Sequence, residues 1–283
     1  MRIEILGSGG AIATPRPGCT CRVCQQARAK GVPYSRGGPS LFVHGPNLLF
    51  DTPEEIGLLL NRSQVRHIAA CFYSHWHPDH TMGRRVWEMN YDYRSWPARN
   101  RCTDIYLPQQ VAHDFHTRLG LHEHFEFLSR HGVVRLIELS DGASVTLGGT
   151  RVTPLRLAEN YVYAFLLEAG GRRALIAMDE LFGWNPPASL RGVDLAVLPM
   201  GIPAIHPLTG SQLMHPNHPV LGHEATFEQT LAMVRQIAPQ QAILSHIEEP
   251  FDLDHDDYQA VAAQSQRAGL PISFAYDTMM VEV

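Results

Sequence analysis

Apolar positions along the chain fall into short runs broken by glycine, proline and polar turns, with few stretches of helical spacing. Arg2–Leu6 reads as a strand and Gly7-Ser8-Gly9-Gly10 as a tight turn. Those glycines suggest a dinucleotide-binding fingerprint. Pro15 and Pro17, however, stand where the phosphate-binding helix would run, so the turn is the better reading. Residues 11–40, rich in Gly, Pro, Arg and Cys, read as loop. Leu41–Val43 and Asn47–Phe50 flank His44-Gly45-Pro46 as a hairpin. A helix is expected over Glu54–Asn61, with Thr52 as its cap and Pro53 at its first position. His67–Tyr73 is apolar without helical periodicity, a buried strand that runs straight into Ser74–His80.

Beyond that point, residues 84–131 read as a helical, aromatic-rich insert carrying Trp87, Tyr91, Tyr93, Trp96, Phe115, Phe125 and Phe127. Strands resume at Val133–Leu139, Ser144–Leu147, Arg151–Leu157, Val162–Glu168, Arg173–Met178 and Asp194–Pro199. Residues 200–222 are loop-like. Helices are expected at Phe227–Ile237 and Asp256–Ala268, and strands at Gln241–Ser245, Ile272–Ala275 and Thr278–Val283. No repeat or Gly/Ser linker divides the chain, so residues 1–283 read as one α/β sandwich domain.

Composition narrows the class. Charged residues are only 18% and hydrophobic residues 45%, which argues against disorder. Lys plus Arg is 23 and Asp plus Glu 28, a net charge of −5, so no general affinity for nucleic acid or anionic membrane is expected. Without a transmembrane-length apolar run or signal-like start, a cytoplasmic location is expected. Histidine is in excess: 16, against five cysteines.

Four ligand-type residues, His75, His77, Asp79 and His80, fall within six positions at the end of an apolar strand. Imidazoles and a carboxylate so closely spaced suit zinc, iron or manganese. The pattern His75-x-His77-x-Asp79-His80 resembles the signature of the metallo-β-lactamase-fold hydrolases. That resemblance implies a four-layer αββα sandwich with the metal centre at one edge, and Asp179 and His246 as strand-end ligands. The family expects a further histidine before Val162. Leu157-Ala158-Glu159-Asn160-Tyr161 has none, and Glu159 is the candidate substitute. One or two catalytic divalent metals (Zn, Mn or Fe) are therefore implied.

Cys19, Cys21 and Cys24 place three thiols in six residues, which in a reducing compartment argues for a metal. Together with the Gly-Ser-Gly-Gly turn, they make the chain similar to one branch of the superfamily. It includes the cyclic-phosphate phosphodiesterase of the carbon–phosphorus lyase pathway and the pyrroloquinoline-quinone biosynthesis protein B. The resemblance implies a structural zinc with His223 as fourth ligand. Cys71 and Cys102 read as packing or surface cysteines.

The activity implied is hydrolysis of a small cyclic or nucleotide-like phosphodiester by a metal-activated hydroxide. Asp79 serves the catalytic centre, and His206 is the nearest candidate for the acid that protonates the leaving group, with His215 and His218 in the same loop. Arg84, Arg85 and Arg94 are candidate phosphate contacts. A mononuclear-iron, oxygenase-like protein and a non-catalytic, metal-stabilised binding protein are the alternatives. The expected partner is a small molecule, with no nucleic acid or membrane, and a homodimer is possible.

Overall fold

The computed structural model describes residues 1–283, and its strands form two seven-stranded sheets. The first contains β1 (Arg2–Gly7), β2 (Ser40–His44), β3 (Leu48–Phe50), β4 (Ala70–Phe72), β5 (Thr103–Pro108) and β6 (Val134–Leu139). The second contains β7 (Val145–Leu147), β8 (Thr150–Arg156), β9 (Tyr163–Ala169), β10 (Arg172–Ala177), β11 (Leu195–Pro199), β12 (Gln241–Ser245) and β13 (Ile272–Phe274). β14 (Met279–Glu282) returns to the first sheet and pairs antiparallel with β1, giving the order β14-β1-β2-β3-β4-β5-β6. The second sheet runs β13-β12-β11-β10-β9-β8-β7.

The inner strands of the second sheet are buried on both faces, and their two-residue period divides them between two cores. Phe165, Ile176, Val197 and Ile243 face the first sheet. Ala164, Leu175, Leu198 and Leu244 face the outer helices α6 (Phe227–Ile237) and α7 (His255–Arg267). Between the sheets, the Phe165 ring lies 5.2 Å from Phe50 and 5.6 Å from Phe72, joining the two layers. Helices α2 (Ile56–Arg62), α4 (Gln109–Thr117) and α5 (Leu121–Arg130) pack on the first sheet's core. These layers form the αββα sandwich.

Three local expectations change. The 11–40 stretch contains α1 (Arg22–Lys30), which Cys21 caps by accepting from the Cys24 N–H. Residues 84–131 are not all helical, because Thr103–Pro108 forms β5, a parallel strand between β4 and β6. The α2 cap position falls at Glu55 rather than Thr52. The Thr52 hydroxyl is 2.8 Å from the buried Tyr73 hydroxyl instead.

What the topology does for function is align strand ends. β3, β4 and β5 run parallel, as do β10, β11 and β12, so their C-terminal ends open on a common edge.

Candidate metal centre

His75 and His77 follow β4, and Pro78 starts the one-turn helix α3 (Pro78–Thr81), which carries Asp79 and His80. Asp179 lies just beyond β10, and His246, in a left-handed conformation, just beyond β12. These six side chains form two groups of converging ligand atoms: His75, His77 and Asp179, and Asp79, His80 and His246. Asp179 joins the two. Its Oδ2 is 3.2 Å from His75 Nε2 and 3.6 Å from His80 Nε2, while its Oδ1 is 3.4 Å from His246 Nε2. Asp79 Oδ2 lies 3.2 Å from His80 Nε2 and 3.6 Å from His246 Nε2.

These donors fit divalent metal ions. The Nε2 atoms of His75, His80 and His246 are buried without a hydrogen-bond partner, an expensive arrangement unless a cation lies among them. The opposite ring nitrogens of two of them are held from behind. His80 Nδ1 is 2.7 Å from Asp51 Oδ2, and His75 Nδ1 is 3.0 Å from the Ser74 hydroxyl. Asp51 also accepts from the Ser74 N–H at 2.8 Å and the Ser74 hydroxyl at 2.6 Å. Such partners fix ring orientation and tautomer. Asp51 is fully buried with positive φ, yet in the sequence it looks only like the end of a strand. Its one signal is an acid directly terminating an apolar run. The early glycine turn is a spacer for this centre: a Cβ on Gly10 would sit 2.6 Å from Glu248 Cγ and 3.0 Å from His246 Nδ1.

The electrostatics divide the histidines. Burial pulls the His75 and His77 imidazoles down, His77 to about 4. Burial also opposes a charge on His246, but Asp179 and Asp79 outweigh it and lift the imidazole to about 9. His80 is likewise raised by Asp79 and Asp51 against its burial. Asp79 and Asp179 are held well below the usual carboxylate range: the positive charges of His80 and His246 overcome the cost of burial.

Glu159 is absent from both groups. The ring of Tyr161 is the neighbour of the first one, 5.4 Å from His77 and 6.2 Å from His75. His206 also lies elsewhere. Its Nδ1 accepts from the Leu208 and Thr209 N–H groups, and it lines a cleft with Phe227, Leu231 and Val261 against α6 and α7. Carboxylates occupy the metal side instead: Glu180, Glu224 and Glu248 line a pocket with Asp179 and His246. Burial, and then repulsion from Asp179, pushes Glu180 up to about 7. His215 and His218 are exposed, each accepting a backbone N–H of its own loop.

The cysteine cluster differs from expectation in its fourth member. Cys19, Cys21 and Cys24 converge with Glu249, three residues beyond His246. Cys21 Sγ is 3.7 Å from Glu249 Oε2, and the other carboxylate oxygen pairs with Arg16 Nε at 2.7 Å. His223 is exposed at the end of the Pro219–Gly222 turn and is outside the group. A parallel bridge between Gly9 and Ile247 carries the Glu249 turn to the thiols, a long-range pairing that local spacing does not reveal. Carboxylate oxygen is an acceptable zinc ligand beside thiolates. Thiolate character is favoured at Cys19 chiefly by the Cys21 N–H, which lowers its pKa, whereas burial pushes Cys24 up to about 11.

Residues 47–247 match the family described as "Beta-lactamase superfamily domain", a span that covers most of the chain and all six converging side chains of the candidate metal centre. The chain belongs to the beta-lactamase superfamily. A diphosphatase of the PhnP family is similar in structure, with a TM-score of 0.72 and 20% identity over 100% of this chain and 97% of that one. Zinc-bound PqqB from Methylobacterium extorquens gives a TM-score of 0.72 at 15% identity, covering both chains completely. The short form of human tRNase Z gives 0.62 at 17% identity, over 100% of this chain and 99% of that one. At these identities the likenesses establish the superfamily fold. No curated protein matches the chain in sequence.

Proposed function

We propose that this superfamily member is a metal-dependent hydrolase of small phosphodiesters. The observation that carries the reading is Asp179, one carboxylate shared by two groups of ligand atoms at the mouth of aligned strand ends. His75, His77 and Asp179 would hold one divalent ion, and Asp79, His80, His246 and Asp179 a second. Such ions, when bound, acidify water and neutralise charge building on a phosphoryl group. The protein's own residues do the rest. Asp51 and Ser74 keep His80 and His75 in register. Tyr161 and Trp76 wall the first position with aromatic surface. Glu180 and Glu224 line the pocket beside Asp179 and His246, a side of the centre that His206, in its own cleft, does not share.

A second reading, an oxygenase-like protein holding one iron, is favoured by one feature: the first group lacks a third side chain beyond His75 and His77 apart from the shared Asp179. One screen separates the two. Purified protein reconstituted with Mn, Zn or Fe should hydrolyse bis(p-nitrophenyl) phosphate or 2′,3′-cyclic nucleotides, and His77→Ala should abolish turnover. Silence with every metal counts against the hydrolase. One iron per chain at the catalytic centre together with oxygen uptake would establish the alternative.

A further inference from the structure

In the stretch between His80 and β6, the candidate phosphate contacts Arg84, Arg85 and Arg94 lie against other groups. Arg84 donates to the Leu119 carbonyl, Arg85 pairs with Glu88 at 3.1 Å, and Arg94 lies in a separate cleft beside Tyr91 and Tyr93. Arg118, where α4 turns into α5, is different. Its guanidinium carbon lies 4.2 Å from the centroid of Trp76, the residue between the ligands His75 and His77. The Trp76 ring meets His77 at 4.6 Å and Tyr161 at 6.3 Å. Arg118 therefore stands on the aromatic shelf that walls the first metal position. Its one ion-pair partner is Asp114, reached through Nε at 3.6 Å, and about half of its side chain (47%) is exposed. Both terminal amino groups lack a protein partner. Stacking fixes a planar guanidinium at little entropic cost and leaves its fork free for a bidentate oxyanion.

Across the centre the sign reverses. Glu180, Glu224 and Glu248 line the pocket beside Asp179 and His246, and no lysine or arginine lines it. We propose that Arg118 is the substrate's anion anchor, and that the centre takes a small phosphodiester whose phosphoryl oxygens meet Arg118 while a neutral or cationic ester arm lies along the three glutamates. A polyanionic chain would press a second phosphate against those carboxylates, and like charges at close range are costly. The substrate assignment rests on the hydrolase reading. The anchor does not, because anion binding needs no turnover.

Two measurements test this. Calorimetric titration of inorganic phosphate into the zinc-loaded protein should show binding that weakens about tenfold or more in Arg118→Ala, the loss expected for a charge-assisted pair. Arg118→Lys should recover it only in part, since a point charge cannot chelate two oxygens. Zinc content and melting temperature identify a variant that has merely misfolded, and Arg118→Gln then provides a neutral comparison that keeps a polar side chain. Phosphate affinity unchanged within about twofold in both neutral variants would overturn the anchor. For the arm, p-nitrophenyl phosphorylcholine should exceed a p-nitrophenyl diester bearing a carboxylate arm by about tenfold in kcat/KM, narrowing in Glu248→Gln. Equal or reversed rates would overturn the arm assignment. Arg118-dependent phosphate binding with no diester cleaved would sink the hydrolase and keep the anchor, whereas cleavage indifferent to Arg118 would do the opposite.

Discussion

Asp51 shows how much a single residue outside the ligand set can control. It touches no converging ligand atom, yet it holds His80 through Nδ1 and the Ser74 backbone and hydroxyl at once. A carboxylate in that place keeps Nδ1 protonated and Nε2 free as a donor to metal, and raises the basicity of the ring. Asp51→Asn preserves size but offers one acceptor oxygen and an NH2 in place of two acceptor oxygens. Zinc affinity measured by chelator competition should fall about 10- to 100-fold, with the far-ultraviolet circular dichroism unchanged. Unaltered affinity would mean that α3 alone orients His80.

Among elements, the cysteine cluster ties α1 and its preceding loop to the turn after β12 that also carries His246 and Glu248. Ala11 N–H donates to Glu248 at 3.0 Å, Ile247 N–H to the Ser8 carbonyl at 3.0 Å, and Arg22 of α1 pairs with Asp257 of α7 at 2.7 Å. A metal held at a thousand times its Kd contributes about 4 kcal/mol, which for a chain of this size is on the order of 10 °C in Tm. With Glu249 as fourth ligand, Glu249→Ala should lose one zinc equivalent on dialysis and melt lower by about that amount. His223→Ala should match the parent protein in both. The reverse pattern would restore His223 to the cluster.

At the level of the whole molecule, the centre exists because two sheets meet at one edge. His75, His77, Asp79 and His80 come from the first sheet, and Asp179 and His246 from the second. Their meeting gives the metal-free protein a proton balance that neither sheet has alone. Asp179 lifts His246 to about 9, well above the roughly 6.5 of a free imidazole. A raised folded-state value means that the His246 pairing stabilises the metal-free fold fully below about pH 6.5. That contribution disappears as pH rises through about 9. A metal must displace the proton, so zinc uptake at pH 7 should release at least about one proton, and affinity should climb with pH over the same window. Calorimetry in buffers of different ionisation enthalpy reads the proton count. Zero release would show that His246 is already neutral.

The local chemistry was legible in the chain itself. His75 to His80 are near neighbours, so one short turn after a buried strand is enough to converge them. The strands at Gln241–Ser245 and near Arg173–Met178, with Asp179 and His246 just past their ends, could be read from apolar runs because both faces of those strands are buried. Phe227–Ile237 was legible as a helix in the chain, and the structure adds a capping box between Thr226 and Gln229 at its start. What tertiary structure alone decided is every partner brought from far along the chain: Glu249 beside the three thiols, Asp51 behind His80, Arg118 over Trp76, and the removal of His206 to the α6–α7 cleft. Ligand type and short spacing are properties of the local chain. Which side chain closes a group depends on how strand ends from two sheets come into register, and that is set by burial summed over the whole core rather than by any residue's neighbours.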